Sequence, residues 1–234
     1  MTTPFGHHQP HTQTNLLQKS LDWAKKHQEI VFVGGILIFL IGVGIPYYQH
    51  NQQKADKDAQ GVMGLAQYYQ HSPINAKTGP FKSEEERTQM ALQTFQRILN
   101  DFAGTPTSKL ARFYVAKNQL ELRQFTQAYS NFDKAGNDLK GTPLADEAQL
   151  GKLLCLEGQG QMLQSIALAE SFMKDHSDSF IAPEVGLNLA DLYVKNQNTA
   201  KAAELLKTLS KTYADSNWGK QAERRLQGVY QGKQ

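Results

Sequence analysis

The sequence has little that would support catalysis or nucleic-acid binding. Its single cysteine, Cys155, excludes an intramolecular disulfide and a cysteine-based metal cage. Basic residues number 25 and acidic residues 22, and the two signs are interspersed. No basic stripe could therefore follow a phosphate backbone, so nucleic acid is not an expected partner. No alternating apolar run is long enough to predict β-strands.

Motifs of the common catalytic classes are also missing. The sequence contains no phosphate-binding loop, no H-E-x-x-H and no G-x-S-x-G. His7, His8 and His11 lie close together in a polar N-terminal stretch, but no further ligand and no fixed geometry accompany them. We therefore predict no enzyme, no catalytic residue, no metal site, no cofactor and no small-molecule substrate.

Charge is absent between Glu29 and Lys54, and within that gap residues 30–48 are almost wholly apolar. A helix of these 19 residues covers about 28 Å, close to the hydrocarbon thickness of a bilayer at about 30 Å. Tyr47 and Tyr48 end the run where an aromatic belt would lie. The run predicts a transmembrane helix.

Two other interpretations of the apolar run are less favoured. A cleavable signal peptide has a shorter apolar region, begins earlier and ends at an A-x-A-like site, which is missing here. A buried core helix is unnecessary in a chain whose mean hydropathy is −0.53. We therefore predict a retained single-pass anchor.

The orientation of the anchor is predicted from its flanking lysines. Lys19, Lys25 and Lys26 precede the span, whereas Lys54 and Lys57 follow it. Because basic residues accumulate on the cytoplasmic side, this bias favours a short N-terminus inside and a large C-terminal domain outside.

A 37-residue repeat organises the rest of the chain. Small, large, large and aromatic-or-apolar residues recur at positions i, i+4, i+7 and i+11, which is one stripe of an α-helix. The four copies begin at Ala91, Ala128, Ser165 and Ala202. They continue with Phe95, Phe132, Ala169 and Leu206, then Ile98, Ala135, Phe172 and Leu209, then Phe102, Leu139, His176 and Tyr213.

Further helices are predicted between these copies, each beginning soon after a proline. They cover residues 108–122 after Pro106, 144–157 after Pro143 and 184–195 after Pro183. Gly104 and Gly141 precede two of the prolines, where a helix end requires a left-handed residue. The unit is therefore a helix, a turn, a second helix and a proline-marked turn.

The ends of the array are predicted to differ from its middle. Residues 84–102 are expected to form a half unit, and residues 217–229 a final capping helix. In that helix three residues are expected to face inward and two to face water: Trp218, Ala222 and Leu226 inward, and Arg224 and Arg225 outward.

The helix pairs resemble the tetratricopeptide repeat over residues 84–230. The clearest copy reads Leu189-Ala190-x-x-Tyr193, followed by Ala202, Leu206 and Leu209. Earlier copies read Leu150-Gly151-x-x-Leu154, whose second helix follows about two residues late, and Val115-Ala116 with Gln119 in the aromatic position. The resemblance implies an α-solenoid whose first helices line a concave, polypeptide-binding face.

The predicted fold is thus all-α, with a single N-terminal transmembrane helix followed by an α-solenoid of tetratricopeptide-like helix pairs. Five regions follow: a disordered cytoplasmic tail (1–15), a short amphipathic lead-in (16–29), the transmembrane helix (30–48), a helical linker and loop (49–83) and the repeat domain (84–234).

Carrying the family's groove positions over to this chain places three residues at each of three equivalent slots. The slots hold Lys117, Lys152 and Asp191, then Phe113, Ala148 and Leu187, then Leu120, Cys155 and Val194. From these we take as candidate partner-binding residues Phe113, Lys117, Leu120, Lys152, Leu187, Asp191 and Val194. The alternative is that these side chains pack on neighbouring helices or are merely solvated, and Cys155 is expected to be a small buried apolar residue.

The tail, the anchor and the repeat domain together resemble the YfgM-type ancillary subunits of the bacterial SecYEG translocon. This resemblance implies an inner-membrane protein with a cytoplasmic N-terminus and a periplasmic C-terminal domain. Its implied partners are the translocon, periplasmic chaperones or exported polypeptides. The alternative is a structural module that organises another envelope complex, such as secretion or division machinery, or that self-assembles. Self-assembly would use either the repeat array or the glycine face formed by Gly34, Gly35, Gly42 and Gly44.

Overall fold

The computed structural model describes residues 12–74 and 80–232, and the regular structure of these residues is helical. The histidines of the predicted tail, His7, His8 and His11, lie outside the described residues. The chain divides into two compact units, Met1–Lys54 and Ala55–Gln234.

The N-terminal unit is helical, with a polar first helix and an apolar second helix. Helix α1 (Thr12–Lys26) begins four residues before the predicted lead-in. Helix α2 (Gln28–Phe39), a π-helical turn (Leu40–Gly44) and the start of α3 (Ile45–His71) contain the whole predicted span. An 18-residue window within Gln28–His71 has a mean hydropathy of 2.4, and none of that window is buried. By length and composition this helical stretch can cross a membrane.

The second unit continues with eight helices in the part of the chain that the structure describes. They are α4 (Glu84–Asp101), α5 (Pro106–Glu121), α6 (Phe125–Asp138), α7 (Pro143–Gly158), α8 (Met162–Asp175), α9 (Ala182–Lys195), α10 (Thr199–Thr212) and α11 (Asn217–Gln231).

The turns between helix pairs form as the sequence predicts. Gly104 and Gly141 adopt positive φ angles of 83° and 82°, which places them in the left-handed region that glycine tolerates best. Pro106 and Pro143 then occupy the first turn of the next helix, where the missing N–H costs nothing. The Thr105 side chain accepts a hydrogen bond from the Ser108 N–H and caps α5.

The turns inside the pairs contain a regularity that the sequence pattern did not reveal. Arg123, Gly160 and Gln197 all adopt positive φ, at 57°, 74° and 61°, and each ends the first helix of a pair. In the first of these turns the N–H of Gln124 donates to the carbonyl of Gln119, and the other two turns make the equivalent bond. These three turns therefore keep the 37-residue spacing of the second helices.

The repeated apolar stripe forms the core. Ala91, Ala128, Ser165 and Ala202 are all 0% exposed, and the next two positions of each copy are also buried. The fourth position follows the last helical residue and is only partly covered. His176, for example, stacks on Phe172 with ring centroids 5.0 Å apart.

The first pair differs from the prediction of a half unit at residues 84–102. Ala59, Met63 and Ala66 of α3 pack in one cluster with Phe95 and Ile98 of α4. Much of the segment predicted as a linker therefore contributes to the core. For this reason the compact unit begins at Ala55 and not at residue 84.

Candidate functional site

Three first helices, α5, α7 and α9, contribute to one open cleft of about 370 Å³. From α5 the cleft receives Phe113, Lys117 and Leu120, three of the predicted partner-binding residues. Phe113 is 2% exposed and forms part of the floor, whereas Lys117 and Leu120 are half-buried. The ammonium group of Lys117 lies 5.7 Å from the centroid of the Phe113 ring.

The opposite wall comes from residues that were not predicted. Helix α7 contributes Glu147, Leu150 and Leu154, and the first turn of α9 contributes Glu184. Phe180, in the turn before α9, stands at the mouth of the cleft and is 58% exposed. In the sequence, Phe180 is the aromatic residue of the short loop "DSFIAP", and this pattern could have indicated an exposed aromatic side chain.

Lys152 does not lie in the cleft, which corrects the predicted equivalence with Lys117. Its Nζ is 2.6 Å from the Asp133 carboxylate and 5.3 Å from the centroid of the Tyr129 ring, both on α6. The left-handed turns keep a 37-residue register, and in that register Leu154 is the equivalent of Lys117. The prediction was wrong because the middle copy was assigned a two-residue offset that its first helix does not have.

The C-terminal helix covers the third copy of the predicted face. Leu187 is 2% exposed and packs in one cluster with Ala222 of α11. Arg225 of α11 donates to the Asp191 carboxylate at 2.8 Å and to the Leu187 carbonyl at 3.0 Å. Arg225 was predicted to face water, and this pair corrects that prediction. Val194 is 40% exposed and does not line the cleft.

The remaining residues of α11 lie as predicted. Ala222 is fully buried, Trp218 and Leu226 pack partly buried against the same cluster, and Arg224 is exposed. The inward face of the helix is therefore apolar, as the sequence pattern requires for a helix that packs on the last pair.

Burial decides the electrostatics of the covered residues. Burial raises the pKa of Asp191 above its ordinary value, because it outweighs the lowering effect of Arg225 and Lys195. Burial also raises the pKa of the Cys155 thiol to about 12. Cys155 is 0% exposed and Ala148 likewise, so both residues belong to the interior and not to the face.

The described residues contain no group of three or more side chains that could hold a metal ion.

Antiparallel helix pairs whose first helices share an open cleft define the helical-repeat class of interaction domains. Within that class, a family model for the tetratricopeptide repeat-like domain matches residues 21–154, and one for the tetratricopeptide repeat matches residues 184–216. The chain belongs to the tetratricopeptide repeat-like domain family. Domains of this kind mediate protein–protein interactions and are typically non-catalytic.

Solved structures share the fold. One is a crystal structure from Podosopora anserina of the nearly identical TPR-like repeats of a putative kinesin light chain. Its sequence is 16% identical to this chain, the match covers 76% of this chain and 88% of that chain, and the TM-score is 0.57. A crystal structure of a point variant of the same repeats gives 16% identity, 76% and 87% coverage and a TM-score of 0.58. No curated protein sequence matches the chain significantly.

Proposed function

We propose that this protein is a membrane-tethered scaffold that holds a segment of a partner polypeptide in the cleft between α5, α7 and α9. The observation that carries the proposal is the composition of that cleft. Its floor is apolar, its rim is charged, and Phe180 stands exposed at its mouth. Apolar centres with polar rims and accessible aromatic anchors are typical of protein–protein interfaces.

The form of the cleft favours a polypeptide over a small ligand. Consecutive first helices of the array contribute to it, so it extends along the stack and is not confined to one helix pair. A helix or an extended segment can place successive side chains along such a surface.

The membrane tether is supported by two observations. The helical stretch Gln28–His71 is apolar enough to cross a membrane, and the family match begins at residue 21, so that it includes the apolar stretch together with the first helix pairs. We propose a single-pass protein of the bacterial inner membrane with the repeat unit in the periplasm. There it would receive exported polypeptides or periplasmic chaperones beside a SecYEG-type translocon.

The location of binding is tested by photo-crosslinking from the cleft. A photoreactive residue at Leu150 or Leu154 of the full-length chain is expected to capture a partner in intact cells, because both side chains line the cleft. Residues Glu85 and Leu163 are exposed elsewhere on the unit and serve as matched control positions.

Mass spectrometry of the crosslinked products then separates the candidates. Capture of a translocon subunit, a chaperone or an exported polypeptide supports the proposal. Capture of a second copy of this chain favours instead a self-assembling scaffold, for which Gly34, Gly35 and Gly42 leave an open small-residue face in the apolar helix. Equal yields from the cleft and the control positions would contradict a cleft-bound partner.

The proposed orientation predicts the location of the C-terminus. A periplasm-dependent reporter, such as alkaline phosphatase, fused after the last residue is expected to be active, and a reporter that fluoresces only in the cytoplasm is expected to be dark. Replacing Lys19, Lys25 and Lys26 with glutamine leaves lysines only on the C-terminal side of the span. This change is expected to reduce the activity of the periplasmic reporter. If only the cytoplasmic reporter is active, the C-terminus lies in the cytoplasm and the proposed orientation is wrong.

A further inference from the structure

We infer that the cleft selects partner segments in which a lysine or arginine lies next to an apolar or aromatic residue. This inference rests on the proposed function and names the chemistry of the partner. It is carried by two carboxylates, Glu147 and Glu184, that line the cleft together with one lysine, Lys117, and with residues that are mostly apolar.

The two carboxylates occupy equivalent positions. Glu147 lies in the first turns of α7 and Glu184 in the first turn of α9, 37 residues later in the register that the turns keep. Both are half-buried in the cleft. Two consecutive helix pairs therefore present the same anionic group to one surface.

Neither carboxylate has a cation of this chain as a partner within residues 12–74 and 80–232. The acidic side chains nearby behave differently. Glu157 pairs with Lys195, and Asp191 pairs with Arg225. Asp146, next to Glu147, faces away from this cleft and accepts a hydrogen bond from the Ser179 hydroxyl at 2.6 Å. Unlike these neighbours, the two half-buried carboxylates of the cleft have no ion-pair partner among the described residues.

The single cation in the lining does not neutralise that charge. Lys117 lies over the ring of Phe113 and forms no ion pair with either glutamate. The lining therefore carries two negative charges against one positive charge. A partly buried anionic site attracts cations more strongly than an exposed one, because less water screens the interaction.

The apolar part of the cleft suits the rest of a basic side chain. The methylene stem of a lysine or arginine can lie on Leu150 and Leu154 while its charged head reaches the carboxylates. Phe180, exposed at the mouth, offers an aromatic face to the same cation or to a neighbouring apolar residue of the partner. A basic residue and an apolar residue that are adjacent in the partner sequence would therefore fill the cleft.

The test uses the full-length chain in detergent micelles and three fluorescent peptides that share their apolar residues. The residues flanking the apolar positions are lysine and arginine in the first peptide, glutamine in the second and glutamate in the third. Fluorescence anisotropy at low and high salt gives the dissociation constants. We expect the basic peptide to bind about tenfold more tightly than the acidic one, with a difference that shrinks at high salt.

Matched variants assign the preference to the cleft. The double variant Glu147→Gln/Glu184→Gln is expected to remove most of the difference between the peptides. The control Glu204→Gln/Glu223→Gln makes the same charge change at two exposed residues of α10 and α11 and is expected to leave the difference intact. The double variant Glu147→Lys/Glu184→Lys is expected to reverse it. Circular dichroism checks that each variant remains helical.

The outcomes separate the inference from the proposed function. If all three peptides bind equally and Glu147→Gln/Glu184→Gln changes nothing, the inferred charge preference is wrong. In that case, a loss of peptide binding in a Leu150→Asp variant would still support the cleft as the polypeptide-binding site. If no peptide binds the wild-type chain, the proposed function itself fails. A preference that survives Glu147→Gln/Glu184→Gln but is lost in the control variant overturns the assignment to these two residues.

Discussion

Phe132→Ala is expected to lower the free energy of unfolding by about 3–5 kcal/mol, the largest effect of a single substitution that we predict. Phe132 is 1% exposed and lies at the centre of a core cluster formed by α5, α6 and α7. Its ring meets that of Phe113 edge to face, with centroids 5.9 Å apart. Truncation leaves a cavity that the backbone of three packed helices cannot fill by a small movement.

The loss is also expected to reach the cleft, because Phe132 lies beneath it. Its ring fits against Gly151, where a Cβ would come within 2.4 Å of the ring. Without the ring, the floor under Leu150 and Leu154 is no longer supported. We therefore expect weaker partner binding in addition to lower stability.

Urea unfolding followed by circular dichroism measures this effect on the full-length chain. Leu163→Ala is the matched control, since Leu163 lies on α8 and is 71% exposed. Its expected change is within about 0.5 kcal/mol. A Phe132→Ala variant that unfolds at the same urea concentration as Leu163→Ala would show that the centre of the array is not packed as described.

Gly219→Ala is expected to displace α11 from the end of the array. A Cβ at residue 219 would lie 2.1 Å from the carbonyl oxygen of Tyr213 and 2.6 Å from its carbonyl carbon. Because these are backbone atoms of the turn after α10, no side-chain rotation can relieve the clash. The expected cost is at the upper end of the range of about 1–3 kcal/mol that is typical of overpacking.

The displacement has two local consequences. The cluster that joins Leu187, Leu206 and Leu209 to Ala222 is expected to open. The ion pair between Arg225 and Asp191 is expected to break, which uncovers the end of α9. In a Trp23→Phe background, the fluorescence of Trp218 reports the change as a shift of its emission to longer wavelength.

Gly228→Ala in the same helix provides a control of opposite sign. A Cβ at residue 228 meets no atom within 4 Å. Alanine is the better helix former, so this substitution is expected to raise stability by about 0.5–1 kcal/mol. If both substitutions stabilise the protein, the close approach of α11 to the turn at Tyr213 does not exist in solution.

Sequence reasoning was most successful where a residue's role follows from its neighbours along the chain. The positions of Gly104 and Gly141, the prolines at the helix starts and the stripe through Ala91, Ala128, Ser165 and Ala202 were all predicted and are confirmed. Each of these depends on local backbone geometry or on helical periodicity, both of which a single sequence expresses directly.

The cleft was predicted less well. The predicted residues Phe113, Lys117 and Leu120 lie on one wall of the cleft, but Glu147, Leu150 and Leu154 on the facing wall were not among the predicted residues. The error arose from the register of the middle copy, which is kept by left-handed turns at Arg123, Gly160 and Gln197. Only the second of these is a glycine, so the sequence carried no visible signal of the common turn.

By itself the amino-acid sequence determined the all-α class, the apolar N-terminal helix and the 37-residue arrangement of helix pairs, because periodicity, caps and breakers act within one or two turns of helix. Only the tertiary structure decided which side chains share the cleft and which are covered. Leu187 and Asp191 have the sequence features of groove residues, yet α11 packs on them through Ala222 and Arg225. Such exclusion depends on contacts between helices that are distant in sequence, and the pattern within one helix does not record what packs on its outer face.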